Sequence, residues 1–452
     1  MRKTLKYAIA LSMMVPSGYG QSLFDQASFK SMSLGGIHLY GVSVYSGYST
    51  SGYPGTFGQV SSLAASQFGP GVDYGASATA GWQHHQGRAD FSAAYSLTYG
   101  GRVHYPEASA FNQSLSLSMS RVLTPKWMLG LSMGGSYSTV VQLLNQPSSV
   151  GLIAQVPATL DDLAASFSIG QFSNSQVASM LTSAPMLESP ARVMLLGGRV
   201  LAYSVQASLQ YARSSRLSFH ISSFTAGGEH YTGGDNGPSN QNYVMPHSIG
   251  VSGGMGMSYM LSPRTQVGVN LEENRVLNAY QGAYVTSAGA SIGRKMSMRW
   301  FVAAHGGGSF TRVTNQSYGM PQTRQATWGG SIGFRTYQHT LIGSYDRSAM
   351  DTFGFAIGTT TAASAGWSWH RPGSRWSVFS GFGQQQVKNT GYSSLSGWQA
   401  SGGVSEMLSG QASLSVQYAY GSSSGVFLGR AITTDVHSVR LSLGWAPSPV
   451  IR

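Results

Sequence analysis

The chain has 452 residues, only 9% of them charged, and glycine alone supplies 59. Soluble domains carry about 25% charged residues, so the composition argues against an ordinary soluble fold. There is no cysteine, which excludes disulfides and a lipid-modified N-terminal cysteine. The net charge is +12, but the bases are scattered rather than clustered with aromatic residues, which argues against a nucleic-acid-binding protein.

The first twenty residues have the pattern of a secretory signal peptide. Three bases precede a short apolar run, and the small residues Gly18 and Gly20 come just before Gln21. The apolar run is too short for a helix that crosses a membrane. We expect cleavage near Gln21, which removes three bases and no acids and so lowers the net charge from +12 to +9. Residues 21–34 show no clear alternation and predict a periplasmic or luminal N-terminal segment.

Apolar residues alternate with Ser, Gly or Gln through most of residues 35–446; Ser114 to Met119 reads S-L-S-L-S-M. A period of two places one row of side chains on each face of a strand, and about ten tilted residues cross a bilayer. In lipid only a closed barrel satisfies the backbone of a sheet. We predict an all-β fold, a transmembrane antiparallel up-and-down β-barrel of about 18 strands, with 16 as the alternative, followed by a tail at 447–452.

The connections between these strands alternate in length. Short links are predicted at His84–Gly87, Leu123–Pro125, Ser214–Ser215, Leu261–Arg264, Lys295–Ser297, Tyr337–Gln338, Arg371–Ser374 and Met407–Gly410. Longer links are predicted at Ser46–Gly71, Gly100–Ser109, Thr139–Gly198, Ala226–Pro246 and Thr314–Gln325. Outer-membrane barrels have short periplasmic turns, longer external loops and an even number of strands. Because the odd-numbered links are the long ones, both ends of the wall are expected at the periplasm.

Most tryptophans lie beside a short link or near the chain end. Barrels carry Trp and Tyr at the two membrane interfaces. The predicted periplasmic girdle comprises Trp82, Trp127, Trp300, Trp367, Trp369, Trp376 and Trp445. Trp328 and Trp398 begin strands that follow long loops, so they are assigned to the external girdle. The alternative is that these are core tryptophans of a soluble β-sandwich.

The apolar row is assigned to lipid, so the other row predicts the lumen. The predicted pore-lining residues are Gln206, Ser208, Gln210, His220, Asn270, Glu272 and Arg440. Arg312, Arg324 and Arg347 lie at loop edges and are interpreted as lining the pore or its mouth. Positive charge in a narrow channel favours anions, but Glu272 opposes it, so we expect weak selectivity.

The link at 139–197 is long enough to fold by itself and contains helical signals. Thr159 and Asp162 have capping-box spacing, and a second helical segment is stopped by Pro185. This partly helical external loop has two interpretations. It folds into the mouth and narrows the pore, with Asp161, Asp162 and Phe167 as constriction residues, or it stands outward as a contact surface.

No residues form a recognisable catalytic or metal-binding pattern. His220 shares a strand face with Ser218 and Ser222, but such proximity is expected by chance in a serine-rich chain. His84 and His85 lie in a tight turn without further ligands at a recognisable spacing. The sequence therefore predicts no enzyme, no cofactor and no metal.

These features together resemble bacterial outer-membrane porins over nearly the whole mature chain, without the signature of a subfamily. The resemblance implies an integral outer-membrane location, contact with the lipid bilayer and lipopolysaccharide, passive diffusion of small hydrophilic solutes, and a homotrimer. The lumen departs from typical porins because it is mostly neutral, which suits uncharged or weakly anionic solutes. The alternatives are a conduit for exopolysaccharide export and an adhesive or structural surface barrel.

Overall fold

The computed structural model describes residues 32–34, 37–50, 70–103, 105–139, 199–231, 248–278, 282–314, 322–351, 357–371, 373–388, 393–427 and 430–446. Within these ranges all regular structure is β-strand. No helix in the described part of the chain is long and apolar enough to cross a membrane.

Eighteen long strands follow a short first strand. They are β1 (Met32–Leu34), β2 (Ile37–Ser49), β3 (Gly71–Gln86), β4 (Ala89–Arg102), β5 (Tyr105–Thr124), β6 (Trp127–Thr139), β7 (Arg199–Ala212), β8 (Leu217–Tyr231), β9 (Ser248–Ser262), β10 (Thr265–Asn278), β11 (Gly282–Lys295), β12 (Trp300–Val313), β13 (Thr323–Arg335), β14 (His339–Asp351), β15 (Ile357–His370), β16 (Trp376–Lys388), β17 (Ser393–Met407), β18 (Ala412–Phe427) and β19 (Arg430–Trp445).

The sheet is a closed up-and-down barrel. From β2 to β19 each strand pairs antiparallel with the next, and β19 returns to pair with β2, from Ser438 opposite Ser49 to Trp445 opposite Val42. The prediction of an antiparallel barrel of 18 wall strands is confirmed. The short β1 was not predicted; it pairs only with β2, as a hairpin beside the wall.

The two ends of the barrel differ in their connections, as the sequence predicts. One end carries only short turns, at 87–88, 125–126, 213–216, 263–264, 296–299, 336–338, 371–375 and 408–411. The other end carries the longer connections, including 50–70 and 140–198. The long link expected at 100–109 is wrong: β4 and β5 continue their pairing to Arg102 opposite Tyr105, past an irregularity at Gly100, so only 103–104 connect them.

A side-chain hydroxyl organises several of the short turns. In each case the oxygen of a Ser or Thr accepts hydrogen bonds from the backbone N–H groups two and three residues later. These residues are Thr124, Ser214, Ser297, Thr336 and Ser409. Such local bonds offer the backbone an alternative to the ladder and so end a strand. Gly87 serves the same purpose at another turn, with a φ of 61° that favours glycine.

The distribution of polar and apolar residues is inverted relative to a soluble protein. Among the described residues, the buried set holds five hydrophobic and fourteen polar or charged side chains. Large apolar side chains lie instead on the exposed face, among them Ile221 at 59%, Met255 at 58% and Met133 at 54%. An apolar face this extensive is far beyond the patches found on soluble monomers. The outer wall is therefore suited to lipid.

Candidate functional site: the lumen of the barrel

Alternation along each strand separates the outer wall from the lumen. On β7 the outward side chains include Leu201 and Val205, exposed at 41% and 42%. Gln206, Ser208 and Gln210 occupy the opposite row and are half-buried. In a closed barrel the two rows of a strand face outside and inside, so this polar row faces the lumen.

The registers bring together most of the predicted pore-lining residues. Gln210 lies opposite His220, His220 opposite Gly256, and Gly256 opposite Asn270, which places these residues in one row across β7–β10. The neighbouring row runs from Ser208 through β8 and β9 to Glu272. The buried Glu272 carboxylate thus lies three strands from Ser208. Gln206 lies on the same face, opposite the inward Phe224.

Serine hydroxyls hydrogen-bond in pairs across neighbouring strands of the lumen. Their oxygens are 2.5–2.7 Å apart in each pair: Ser43–Ser77, Ser92–Ser118, Ser96–Ser114, Ser218–Ser258, Ser344–Ser364 and Ser415–Ser442. A hydroxyl can donate one hydrogen bond and accept two, so each paired oxygen keeps capacity for a solute or water. The inner surface is neutral and hydroxyl-rich over most of its circumference.

Large inward side chains lie flat on glycines of the adjacent strand. A Cβ added to Gly256 would meet the His220 ring, and one added to Gly75 would meet the Tyr45 ring. The same arrangement pairs Phe301 with Gly333 and Phe379 with Gly403. Since each ring occupies the space that a glycine leaves open, it lies along the wall instead of projecting across the lumen.

One arc of the inner wall is charged. Arg440 on β19 lies opposite Gly47, Gly47 opposite Asp73, and Asp73 opposite Arg102. We call Arg440, Tyr45, Ser49, Asp73 and Arg102 the charged cluster. Arg440, predicted to line the pore, therefore lies apart from the other predicted luminal residues on β7–β10.

The charged cluster is connected by specific contacts. The Arg440 guanidinium carbon lies 3.7 Å from the centroid of the Tyr45 ring. Asp73 accepts a hydrogen bond of 2.8 Å from the Ser49 hydroxyl, and Nη1 of Arg102 lies 3.6 Å from its other oxygen. Nη2 of Arg102 donates to the Ser49 carbonyl at 3.2 Å. The Arg102 side chain is fully buried.

The sequence analysis missed Asp73 and Arg102. Arg102 falls in the link that was expected to be a loop, so its strand face could not be assigned. A usable signal existed for Asp73, because it stands between the apolar residues Val72 and Tyr74 and so belongs to the polar row. Their proximity depends on the pairing of β3 with β4, which the local pattern does not specify.

A second ionisable pair spans the strand between its two members. His305 on β12 and Asp346 on β14 both lie opposite Gly329 of β13. The His305 Nε2 and Asp346 Oδ1 atoms are 2.9 Å apart across this glycine. A Cβ at position 329 would lie 2.5 Å from the imidazole and 2.9 Å from the carboxylate. Glycine is therefore what permits this pair.

Two further observations concern chemistry at the histidines. The Ser218 hydroxyl is hydrogen-bonded to Ser258 rather than to His220. Within the described ranges, no group of three or more His, Cys, Asp or Glu residues is placed to hold a metal ion.

The tryptophans assigned to the periplasmic girdle lie at the short-turn end of the wall. Several contact another ring: Trp82 with His84, Trp127 with Tyr211, Trp300 with Phe334, and Trp367 with His339. Trp376 and Trp445 are exposed at 48% and 42%. Trp328 and Trp398 lie nearer the other end and contact Tyr345 and Tyr420.

Other predicted residues lie elsewhere. Arg312 and Arg324 were expected at the pore, but they lie on the outer face, in register with outward Tyr284 and Phe310. Arg347 lies opposite outward Trp328. The constriction residues Asp161, Asp162 and Phe167, with the predicted helices of that loop, lie outside the described residues.

Fold and surface define the class: the chain is a transmembrane antiparallel β-barrel. Among solved structures it is similar to OccK2 (OpdF) of Pseudomonas aeruginosa in complex with glucuronate, with 11% identity, coverage of 90% of this chain and 98% of that one, and a TM-score of 0.44. The FrpB iron transporter of Neisseria meningitidis (F3-3 variant) shows 10% identity, coverage of 93% and 83%, and a TM-score of 0.44. OpdL of Pseudomonas aeruginosa shows 10%, 92% and 99%, and 0.43.

No protein-family model matches the sequence, and comparison with curated proteins gives no match.

Proposed function

We propose that this protein is an outer-membrane porin-like channel for the passive diffusion of small hydrophilic solutes that are uncharged or weakly anionic. The observation that carries the proposal is the closed wall, whose outer face is apolar and whose inner face is small and polar. A barrel of 18 strands is wide enough for an aqueous passage unless segments fill it.

The lumen supports the choice of solute class. Paired serine hydroxyls present donors and acceptors without charge, which matches the hydrogen-bonding groups of sugars and similar solutes. The charged cluster has two arginines and one aspartate, an excess of one positive charge, whereas Glu272 on another arc is negative. Opposed charges of this kind give weak anion preference.

The orientation follows from the two ends of the barrel. We assign the short-turn end, where the first and last wall strands also lie, to the periplasm, and the end with longer connections to the exterior. The signal peptide at 1–20, contact with lipopolysaccharide and assembly as a homotrimer stay predictions of the sequence and of the porin resemblance.

Single-channel conductance in a planar bilayer tests the proposal directly. We expect stable steps from the refolded protein, and larger steps from a variant lacking residues 157–190 if that segment narrows the pore. Retarded migration of the unheated protein on a denaturing gel verifies that each barrel is folded.

Silence from both folded proteins would contradict an open channel. Export of a polysaccharide or a surface-binding role would then become the better explanation. Steps of equal size from the two proteins would keep the channel and reject the constriction by that loop.

A further inference from the structure

The outer wall carries an uneven distribution of positive charge at the long-loop end. Arg275 on β10, Arg312 on β12 and Arg324 on β13 are all exposed and lie within three residues of the end of their strands. We call these three residues the arginine patch. We propose that it binds the phosphate groups of an anionic lipid seated against the outer wall, whatever solute the lumen passes.

The registers show that the patch is continuous. Arg275 lies opposite Tyr284, and Tyr284 opposite Arg312, in a single row over three strands. Arg324 lies opposite Phe310, two residues before Arg312 on the same face, so it is the diagonal neighbour of Arg312. Adjacent strands are about 4.8 Å apart, which puts Arg275 and Arg312 about 10 Å apart at the backbone. One or two phosphates fit between side chains of this length.

Aromatic rings support the guanidinium groups. The Arg275 guanidinium lies 5.3 Å from the centroid of Tyr284, and that of Arg324 lies 5.7 Å from the centroid of Phe310. A ring beneath a guanidinium restricts it while its N–H groups stay free for an anion, and arginine binds phosphate through two parallel hydrogen bonds. The patch is therefore partly organised before a ligand binds.

The charge of the patch is incompletely balanced by the protein. On the outward face of β10–β13, Glu273 is the acid among the described side chains, and it lies two residues below Arg275. None of the ion pairs between described residues involves an arginine of the patch. An excess of two positive charges stays available to an external anion.

The position of the patch argues for a lipid. Directly below it on β10 lie outward Leu271 and Val269, exposed at 47% and 49%. A ligand that combines acyl chains with phosphate groups would contact both surfaces at once, whereas a free anion would use only the arginines. Binding through both surfaces follows from hydrophobic burial together with charge attraction.

Titration of the detergent-solubilised barrel with bisphosphorylated lipid A, monitored by native mass spectrometry, tests the inference. The matched ligand is lipid A from which both phosphates have been removed. We expect the bisphosphorylated form to bind about tenfold or more tightly than the other, since charge-assisted hydrogen bonds to phosphate are strong. Equal affinity for the two forms would overturn the proposal.

Two variants locate the binding. The triple substitution Arg275→Gln, Arg312→Gln and Arg324→Gln should weaken binding about tenfold, whereas Arg213→Gln, Arg299→Gln and Arg371→Gln should change it less than about twofold. The control removes the same charge, but its residues lie at well-separated short turns. Equal losses in the two variants would show general charge attraction and reject a site.

Two further arms separate the remaining possibilities. Lysines at the three positions keep the charge but lose the bidentate geometry, so we expect an intermediate loss; this variant also serves if the glutamine variant does not fold. Inorganic phosphate at a matched phosphate concentration and constant ionic strength should not displace the lipid. Complete displacement would reassign the patch to free phosphate. Unchanged conductance of the triple variants keeps this test separate from that of the channel.

Discussion

Two arcs of the inner wall solve the problem of inward polar groups differently. The charged cluster on β19, β2, β3 and β4 holds Arg102 and Arg440 through a network of an ion pair, a ring contact and hydrogen bonds to Ser49. Lower on β4 and β5, Ser92–Ser118 and Ser96–Ser114 form isolated hydroxyl pairs. The pairs are modular, whereas each member of the charged cluster depends on the others.

The largest difference should follow the loss of the shared carboxylate. Asp73→Asn removes the negative partner of the buried Arg102, and breaking a buried ion pair costs about 3–5 kcal/mol. Because Asp73 is partly exposed and the ion pair is long at 3.6 Å, we expect about 3 kcal/mol from the free energy of unfolding. Urea titration in lipid vesicles measures it. A loss below that of the serine control described below would show that the network is not cooperative.

The next effect concerns the glycine beneath the tyrosine of the cluster. Gly75→Ala would place a Cβ against the Tyr45 ring and the Tyr99 carbonyl, and overpacking of this kind costs about 1–3 kcal/mol. Displaced Tyr45 would also project into the lumen and reduce conductance. The control is Gly135→Ala, where no atom lies within 4 Å of an added Cβ. Equal conductance and stability in the two variants would mean that the ring does not need this space.

The serine pairs should be nearly independent of their surroundings. Ser96→Ala removes one hydroxyl pair and should cost about 1 kcal/mol or less, the net value of a typical hydrogen bond. In a double-mutant cycle, Ser96→Ala and Ser92→Ala should add, since the pairs do not share a partner. Coupling above about 0.5 kcal/mol would place the pairs in one network and remove the contrast with the charged cluster.

The smallest expected effect is on ion selectivity. Arg440→Gln removes one inward positive charge, so the anion preference, measured as the reversal potential across a salt gradient, should fall slightly. Ser442→Ala on the same luminal row should leave it unchanged. No change in the arginine variant would indicate that Tyr45 and the wall shield Arg440 from the permeating ions.

The sequence predicts the architecture well because its signals are local. A period of two marks the strands, and hydroxyls such as Thr124 and Ser297, which bond the backbone two and three residues on, mark where strands end. The strand count and the short-turn end were therefore predictable. β1 was missed because three residues are too few to show alternation.

Cross-strand relationships were not predictable. Whether Asp73 meets Arg102, or Arg312 meets Tyr284, depends on the register of strands that are joined through separate connections. The outward placement of Arg312 and Arg324 shows the limit: alternation around them was read with the wrong row inward. One residue of register moves a side chain from lumen to lipid.

The flat placement of large side chains on glycines has a consequence for how the bore of the barrel is determined. Strand number fixes the outer circumference, but the free cross-section also depends on whether a few rings lie flush or stand upright. A single added methyl at Gly256, with the His220 imidazole and the Val269 carbonyl in its way, acts as a throttle on the bore. The calibre of this barrel is therefore adjustable by point substitution, with the number of strands unchanged.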